Sequence, residues 1–569
     1  MLLLCDSASR YRCRLALTGG SLFEASNGLV PGAAEGTILS EEHSEPQLNG
    51  DISEPERAGT DREIELKLLT DPATLQRLLA APIITRNSNS KGTVRRLEAT
   101  YYDTPDAVVA RHGASLRVRR SGKHYVQTLK LRPQGNALER REIEMPVPDF
   151  ALQLDALPMG DLGAPFATLV STELAPVFTT KIRRHAKTLT LDGAVVEVAF
   201  DDGTLIAGEK VEAVCEIELE LKSGEVGALY ELALSLLEVG PVRIGCQSKA
   251  ERGYALAFGT SPTAEKAFAT GIGPADTTDE VIAKVLNACQ RHVMANLMAA
   301  HDGKDPEGVH QLRVALRRLR TAVSLFRKEV PASTLQALGL DAKRLASALG
   351  PARNWDVFAT STITEIDSAN LPGVDFTGLK SATGPLRARS HQTVRADLID
   401  LACTRFLLSL GRVIERRSWR NDIGLDALAV LTQPAREFAG RGLTRLHRKA
   451  LKQGHNFRKL RPTARHELRL TLKKLRYGAE FLLPLYDRDG AAKKYLRRMS
   501  RLQDILGTDN DITTTQSLLR DVEESTLSPQ VHKAIGAITG WQGRDGIETA
   551  AALRRSWRKF IDVEPFWFD

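Results

Sequence analysis

Cysteine, aromatic residues and long apolar runs are all scarce in this sequence. Its six cysteines show no CxxC pairs or zinc-like spacing, which argues against a disulfide scaffold or a zinc site and favours a reducing compartment. Aromatic residues make up 5% of the chain, and no uninterrupted apolar run approaches the roughly 20 residues needed to cross a bilayer. Asp6, Arg10 and Arg12 interrupt the apolar N-terminus. We therefore expect no secretory signal and predict a cytoplasmic protein that does not span a membrane.

The charge is distributed unevenly along a chain of 569 residues. This length exceeds the roughly 250–300 residues that one hydrophobic core supports, so two large units are expected. Residues 281 to 569 contain 48 Lys and Arg against 30 Asp and Glu, which leaves 30 basic and 40 acidic residues before position 281. The basic half implies a polyanionic partner such as nucleic acid, anionic lipid or polyphosphate, with a merely solvated basic surface as the simpler alternative.

The residue patterns divide the chain into four segments. Residues 1 to 60 are rich in Gly, Ser, Glu and Pro and lack apolar periodicity, as expected of disorder or a misassigned start. Residues 61 to 260 contain about eight short alternating segments, one of them from Lys181 to Leu191, which predict an antiparallel sheet or barrel with a few helices. Residues 261 to 280 form a linker, and residues 281 to 565 show long helical periods. The predicted fold class is α+β, with several domains.

Five of the predicted strands each carry charged or polar residues on one face. Residues two apart share a face of a strand, which groups Glu63, Glu65 and Lys67; Arg117 and Arg119; Thr128 and Lys130; Arg140, Glu142 and Glu144; and Glu216, Glu218 and Glu220. A solvated outer face is the simpler explanation. Like charges on one face destabilise a sheet, however, unless an ion of opposite charge lies between them. A barrel with these charges inside could hold Mg²⁺ or Mn²⁺ on carboxylates and phosphate on Arg and Lys, a pattern that indicates triphosphate with metal.

The helical half contains an internal repeat. When His310 is aligned with His466, Arg313, Arg317, Arg318 and Arg320 fall on Arg469, Lys473, Lys474 and Arg476. Helical spacing places His310, Arg313, Arg317 and Arg320 on one face, with Arg318 near its edge. The repeat predicts a bundle of two related halves with one positively charged cleft. A solvated helix face is the alternative, although acidic partners four residues away are scarce.

The strand motifs resemble one known family. The segment from Glu63 to Lys67 is similar to the ExExK opening of the CYTH, or triphosphate tunnel metalloenzyme, family, and the segments around Tyr101, Arg117, Lys130, Glu142, Glu218 and Lys249 follow in that family's order. The resemblance implies an eight-stranded tunnel that cleaves triphosphate with divalent metal.

The resemblance also implies roles for individual residues. Triphosphate would bind to Lys67, Arg117, Arg119, Lys130, Arg140, Arg184, Lys249 and Arg252. Metal would bind among Glu63, Glu65, Glu142, Asp201, Glu216, Glu218 and Glu220. The catalytic group would be Glu63, Glu65, Lys67, Arg117, Arg119 and Lys130. Two points stay open: whether Arg140 or Arg141 faces inward, because a slip of one residue would exchange them, and which glutamates bind metal.

The helical motifs resemble a second family. The segment from Val309 to Val314, and later His466 to Arg469, is similar to the CHAD domain, a helical bundle named for its conserved histidines. This resemblance implies binding of long-chain inorganic polyphosphate and association with polyphosphate granules. The binding residues would be His310, Arg313, Arg317, Arg318, Arg320, His466, Arg469, Lys473, Lys474 and Arg476.

Three functions remain to be weighed. The leading hypothesis is a Mg²⁺- or Mn²⁺-dependent inorganic triphosphatase, cleaving tripolyphosphate to pyrophosphate and phosphate, with an attached polyphosphate-binding module. A non-catalytic polyphosphate-binding or granule-associated protein is the second, and its weakness is that anion binding alone needs no carboxylates. An adenylate cyclase or thiamine triphosphatase is the third, and the lack of an aromatic platform near the motifs disfavours the cyclase. Nucleic-acid binding is not expected, because no base-reading motif is present.

Overall fold

A computed structural model describes residues 60–131, 138–156, 173–486, 489–526 and 528–568. The predicted N-terminal extension, residues 1 to 60, therefore lies almost entirely outside the described residues. None of the helices within these ranges is long and apolar enough to span a membrane.

Eight antiparallel strands close into a barrel. Their order around the barrel is β1-β5-β4-β3-β2-β6-β7-β8, and β8 returns to β1. A ninth strand of two residues pairs with the end of β1 and takes no part in the closure. The eight-stranded tunnel is thus confirmed, although the strand expected from Lys181 already begins at Ala175. The bounds are β1 Thr60–Leu69, β2 Thr93–Asp103, β3 Ala114–Ser121, β4 His124–Leu131, β5 Glu139–Val147, β6 Ala175–Leu191, β7 Ala194–Ala207, β8 Lys210–Ser223 and β9 Arg243–Ile244.

The barrel is charged inside and apolar outside. On β1, Leu66 and Leu68 alternate with the charged residues and are 1% and 0% exposed. They pack in one cluster with Leu78 and Leu236, which lie on helices that cover the outer surface. Apolar burial therefore stabilises the sheet from outside and leaves the lumen to charged side chains. The helices of this half are α1 Pro72–Leu79, α2 Pro82–Arg86, α3 Val108–Arg111, α4 Gly227–Val239 and α5 Lys249–Phe258.

The second half is helical, and its two repeats have matching bounds. Helices α7 and α15 both contain 21 residues and both begin with a proline near the N-terminus, where the missing N–H costs no hydrogen bond. Their start points, Pro306 and Pro462, differ by the same offset as His310 and His466. The helices are α6 Thr278–Asp302, α7 Pro306–Phe326, α8 Ser333–Ala348, α9 Gly350–Val357, α10 Ile363–Ser368, α11 Thr377–Ile399, α12 Leu401–Glu415, α13 Leu425–Leu431, α14 Ala435–Gln453, α15 Pro462–Leu482, α16 Asp489–Ser525 and α17 Pro529–Ile561.

Helix α4 of the barrel half docks on α12 of the helical half. Tyr230 is fully buried, its hydroxyl accepts a hydrogen bond from Gln290 Nε2 at 3.1 Å, and its ring lies against Gly411. A Cβ at position 411 would come within 2.1 Å of that ring. Arg416 adds a two-point contact to Glu231 at 3.0 and 2.8 Å. The two halves therefore share a packed, hydrogen-bonded contact surface.

Candidate functional site

Three glutamates form a row across neighbouring strands inside the barrel. Glu65 of β1 lies opposite Glu220 of β8, and Glu220 lies opposite Glu197 of β7. All three, together with Glu63 and Glu218, line the central cavity. Burial raises the pKa of Glu220, and Glu63 and Glu197 add to that rise, although Lys222 opposes it. Like charges in adjacent positions are the arrangement that a bound cation would relieve.

Cations from β3 and β4 face this row. Lys130 Nζ donates a hydrogen bond to Glu63 at 2.9 Å and also contacts Glu142. Burial and, after it, the charge of Arg117 lower the pKa of Lys130 to about 8, although Glu63 opposes the change. Arg117 and burial together lower the pKa of Arg119 to about 10. Cations this close repel one another, so an anion between them would be stabilised.

These groups surround a cavity of about 1230 Å³. The predicted lumen residues that line it are Glu63, Glu65, Lys67, Arg117, Arg119, Lys130, Glu142, Arg184, Glu218, Glu220 and Lys249. The alternation of side chains along the strands therefore predicted correctly that most of these residues share the inner surface of the barrel. The cavity also extends beyond the barrel, because α6 of the helical half supplies part of its wall.

Cations from both helical repeats meet in a second group, which we call the interrepeat cluster: Arg313, Arg317, Arg353, Arg469 and Lys473. Burial and, after it, the charges of Arg317 and Arg469 lower the pKa of Lys473 to about 7. Burial, Arg317 and Arg353 lower the pKa of Arg313 to about 10. Asp511 is the carboxylate that opposes these shifts for Lys473 and Arg469. The cluster therefore carries an excess of positive charge at the junction of the repeats.

Three other basic residues predicted to line the positively charged cleft lie outside the interrepeat cluster. Arg318 is 9% exposed, donates a hydrogen bond to Glu480 at 3.0 Å and stacks over Phe481, so its charge is already compensated. Lys474 has Lys449, Arg320 and Arg327 as charged neighbours and forms a separate basic group. Arg476 is 3.4 Å from Glu480.

The two histidines of the repeat also differ from each other. His310 lies next to the cluster, where burial and Arg353 lower its pKa, and His466 is exposed. The two halves of the predicted cleft are thus unequal.

Comparison with protein families agrees with both geometries. The CYTH domain matches residues 61–254 and the CHAD domain matches residues 284–520. The chain is a CYTH domain followed by a CHAD domain. This confirms the two resemblances seen in the motifs.

Individual relatives match parts of the chain. The Inorganic triphosphatase of Haemophilus influenzae is 34% identical over 200 residues, which are 34% of this chain and 55% of that protein. An uncharacterized protein of Mycobacterium tuberculosis is 27% identical over 358 residues, 59% of this chain and 63% of that protein. The chain thus spans between about half and two thirds of the length of these curated relatives. The crystal structure of the CHAD domain from the plant Ricinus communis has 26% identity and a TM-score of 0.44, and covers 53% of this chain and 98% of that one.

Two carboxylates expected to bind metal in the CYTH domain instead surround a lysine. Asp201, Glu216 and Glu218 have oxygens within 4.8 Å of one another, as a metal site would require. Lys249 Nζ, however, donates hydrogen bonds to all three, at 2.7 Å to Asp201 and 3.0 Å to Glu218. Burial lowers the pKa of Lys249, but the three carboxylates outweigh that effect and raise its pKa above the usual value. Asp201 and Glu216 are fully buried and do not line the cavity. The ammonium group occupies the position of a cation, so this trio does not fit a metal.

Arg252 is also engaged away from the CYTH cavity. It donates hydrogen bonds to Glu212 at 2.7 Å, Glu216 at 3.0 Å and the Ala213 carbonyl at 2.8 Å, and it is not among the cavity's lining residues. The position of Arg252 therefore does not support its predicted role in substrate binding. On β5, Arg141 is exposed, while Arg140 pairs in register with Glu63; the Arg140 side chain lies outside the described residues.

The cavity carboxylates of the CYTH domain do fit a divalent metal. Glu63, Glu65, Glu197 and Glu220 offer hard oxygen ligands, the type that Mg²⁺ and Mn²⁺ prefer. Glu142 also lines the cavity and, like Glu63, contacts Lys130. The family implies a divalent metal, and these residues are the ones that could hold it.

Sequence reasoning missed four charged residues of the two sites. Glu197 sits alone in an apolar stretch, but alternation with Val196 and Val198, which are fully buried outside the lumen, could have identified it. Arg353 and Asp511 reach the interrepeat cluster from α9 and α16, and no spacing relates them to α7 or α15. Arg291 lines the CYTH cavity from the CHAD half.

Proposed function

We propose that the CYTH domain hydrolyses inorganic triphosphate with the help of Mg²⁺ or Mn²⁺. The observation that carries the proposal is the division of the cavity wall, with the glutamate row of β1, β7 and β8 facing the cations of β3 and β4. The similarity to a protein named Inorganic triphosphatase supports it. We further propose that the CHAD domain binds long-chain polyphosphate at the interrepeat cluster, as its excess of positive charge favours.

In this proposal the chain's own residues hold the triphosphate and balance its charge. Arg117, Arg119 and Lys130 bind phosphate oxygens, and Lys67 and Arg184 reach the same cavity from β1 and β6. An anion next to Lys130 raises its lowered pKa and keeps the ammonium charged. Metal bound to the glutamate row would supply Lewis-acid polarisation of a phosphoryl oxygen.

Aromatic side chains in the cavity wall are a reason to test organic triphosphates as substrates, because an aromatic ring can contact an organic group. Tyr101, Tyr254, Phe258 and Phe268 line its wall. Tyr101 and Tyr254 are buried and pack against Phe178, so the expectation that no aromatic platform lies near the motifs stays a prediction. Adenosine and thiamine triphosphates are consequently compared with tripolyphosphate.

The test is phosphate release from tripolyphosphate, ATP and thiamine triphosphate, with Mg²⁺, with Mn²⁺ and with EDTA. We expect metal-dependent release, fastest from tripolyphosphate. Glu65→Gln should lower kcat/KM by about a hundredfold or more, because several kcal/mol of transition-state stabilisation depend on the metal ligands. Glu98→Gln is the matched control, since Glu98 pairs with Arg120 and does not line the cavity. Full activity in EDTA, or in Glu65→Gln, would refute the metal-dependent mechanism.

A further inference from the structure

The linker between the two domains is fixed to α6 and forms part of the cavity wall. The buried Asn296 side chain accepts a hydrogen bond from the Glu265 backbone N–H at 3.0 Å and donates one to the Glu265 carbonyl at 2.9 Å. Lys304 Nζ donates to Ser261 Oγ at 3.0 Å. Thr260 to Thr263 and Phe268 then line the cavity. The segment predicted as a linker is therefore a built part of the site.

One face of α6 completes this wall. Arg291, Met294, Ala295 and Met298 line the cavity and follow the i, i+3, i+4, i+7 spacing of a single helix face. These four are half-buried, whereas their neighbours Val293 and Asn296 are buried in the helical bundle. The CHAD domain thus presents one cation and three apolar side chains to the tunnel of the CYTH domain.

Arg291 has no ion pair with any carboxylate in the part of the chain that the structure describes. Burial lowers its pKa, and no neighbouring charge contributes to that shift. Its guanidinium carbon lies 4.4 Å from the centre of the Phe268 ring, a cation–π contact that uses none of its N–H donors, so they can bind an anion. The same contact covers one face of Phe268.

Neither of the two glutamates that line this part of the cavity, Glu251 and Glu265, forms an ion pair with Arg291 in the described residues. Glu251 accepts hydrogen bonds from the Ser248 N–H at 2.7 Å and the Ser248 hydroxyl at 2.9 Å, in the capping box of α5. Glu265 is held through its backbone on Asn296. Arg291 is therefore a half-buried cation, lacking an ion-pair partner among the described residues, on the wall of a phosphate site.

The cavity is longer than the charged part of the barrel. Both ends of α5, Lys249 and Phe258, line it, and the nine steps of helix between them span about 13 Å. A ligand held at Lys130 in the barrel must extend along α5 to reach the linker and Arg291. A linear chain of phosphates has that shape, and each added unit brings a negative charge.

We propose that Arg291 of the CHAD domain binds a phosphate group of a linear polyphosphate longer than tripolyphosphate whose end lies in the tunnel. The proposal rests on the proposed function, since it takes the barrel as the phosphate site. Arg291 then sets the preference for chain length, and the CHAD domain contributes directly to the substrate site of the CYTH domain.

The experiment compares tripolyphosphate with linear hexapolyphosphate in the full-length protein. In Arg291→Ala, KM for hexapolyphosphate should rise about tenfold, the effect of losing one charge-assisted contact, while KM for tripolyphosphate changes by less than about threefold. Arg291→Lys should recover part of the loss. Lys284→Ala is the control, because Lys284 lies on the same helix but pairs with Asp276 outside the cavity; it should treat both substrates alike.

Calorimetric binding of tripolyphosphate, hexapolyphosphate and ATP is measured in EDTA, in an Arg317→Ala, Arg469→Ala background that weakens the interrepeat cluster. Because this measurement needs no hydrolysis, it separates the proposal from the proposed activity. A selective loss of hexapolyphosphate affinity in Arg291→Ala supports the assignment even if the protein hydrolyses neither compound, which would refute the triphosphatase alone. Equal losses for both lengths, or none, would overturn it. A selective loss for ATP would assign this part of the cavity to an organic group instead.

Discussion

In the CYTH tunnel the cations lie against carboxylates, and in the interrepeat cluster they lie mostly against one another. Lys130 contacts Glu63 and Glu142, and Lys249 contacts three carboxylates, two of them fully buried. In the cluster, Arg313 donates its hydrogen bond to the Ala346 carbonyl, and the groups that shift its pKa are other arginines. One site is balanced in charge before a ligand arrives, and the other is not.

This difference indicates two ways of binding a polyanion. In the proposed function, phosphate and metal should strengthen each other's binding in the tunnel, because phosphate takes cations from carboxylates that a metal can then neutralise. Such exchange demands defined geometry at the phosphates that lie among these groups. In the cluster, any multivalent anion relieves repulsion among cations, so affinity should depend on charge and on salt more than on shape.

The largest effect expected from this comparison is on stability, at Lys249. Lys249→Met leaves Asp201, Glu216 and Glu218 without their shared counterion, and the free energy of unfolding should fall by about 3–5 kcal/mol in denaturant titrations. Lys222→Met is the control, because Lys222 pairs with Glu220 at a more exposed position and should change stability by about 1 kcal/mol or less. Equal stability of the two variants would mean that the ammonium is not structural and that the trio is free to bind metal.

The carboxylates of β8 show how far the sequence alone could predict the site. Alternation predicted that Glu216, Glu218 and Glu220 share a face, and they do belong to the charged side of β8. It could not predict which of the three glutamates would pair with a lysine, because Lys249 lies on α5, which is distant from β8 in the sequence. Glu216 is fully buried beside Lys249, whereas Glu220 has no contact with Lys249 and lines the cavity.

The helical half shows the same limit at Arg318. The offset between the repeats predicted the bounds of α7 and α15, because each copy carries the same proline start and apolar period. Helical spacing put Arg318 at the edge of the basic face, but a pairing with Glu480 across the bundle turns it into the interior. Local periodicity identifies faces, and only packing decides which charge finds a partner.

An intermediate effect is expected on polyphosphate binding at Arg317. Arg317→Ala should weaken binding of long-chain polyphosphate about tenfold, and the slope of log K against log salt should become shallower by about one, since one fewer counterion is released. Arg389→Ala removes the same charge from an exposed position outside the cluster and should change affinity less than about twofold. If both variants lose affinity equally, the whole basic surface binds the polyanion and the interrepeat cluster has no special role.

The smallest effect is on the pH dependence of that binding, through Lys473. With a pKa of about 7, Lys473 is half neutral at neutral pH, chiefly because of burial and then because of Arg317 and Arg469. A bound polyanion stabilises the ammonium form and raises its pKa, so binding takes up a proton, and affinity should fall by up to about fivefold between pH 7 and pH 8. Calorimetry in buffers of different ionisation enthalpy measures the uptake. Lys473→Arg should abolish it, because guanidinium stays charged; proton uptake that persists in this variant would assign the titration to another group and leave the cluster charged at all working pH values.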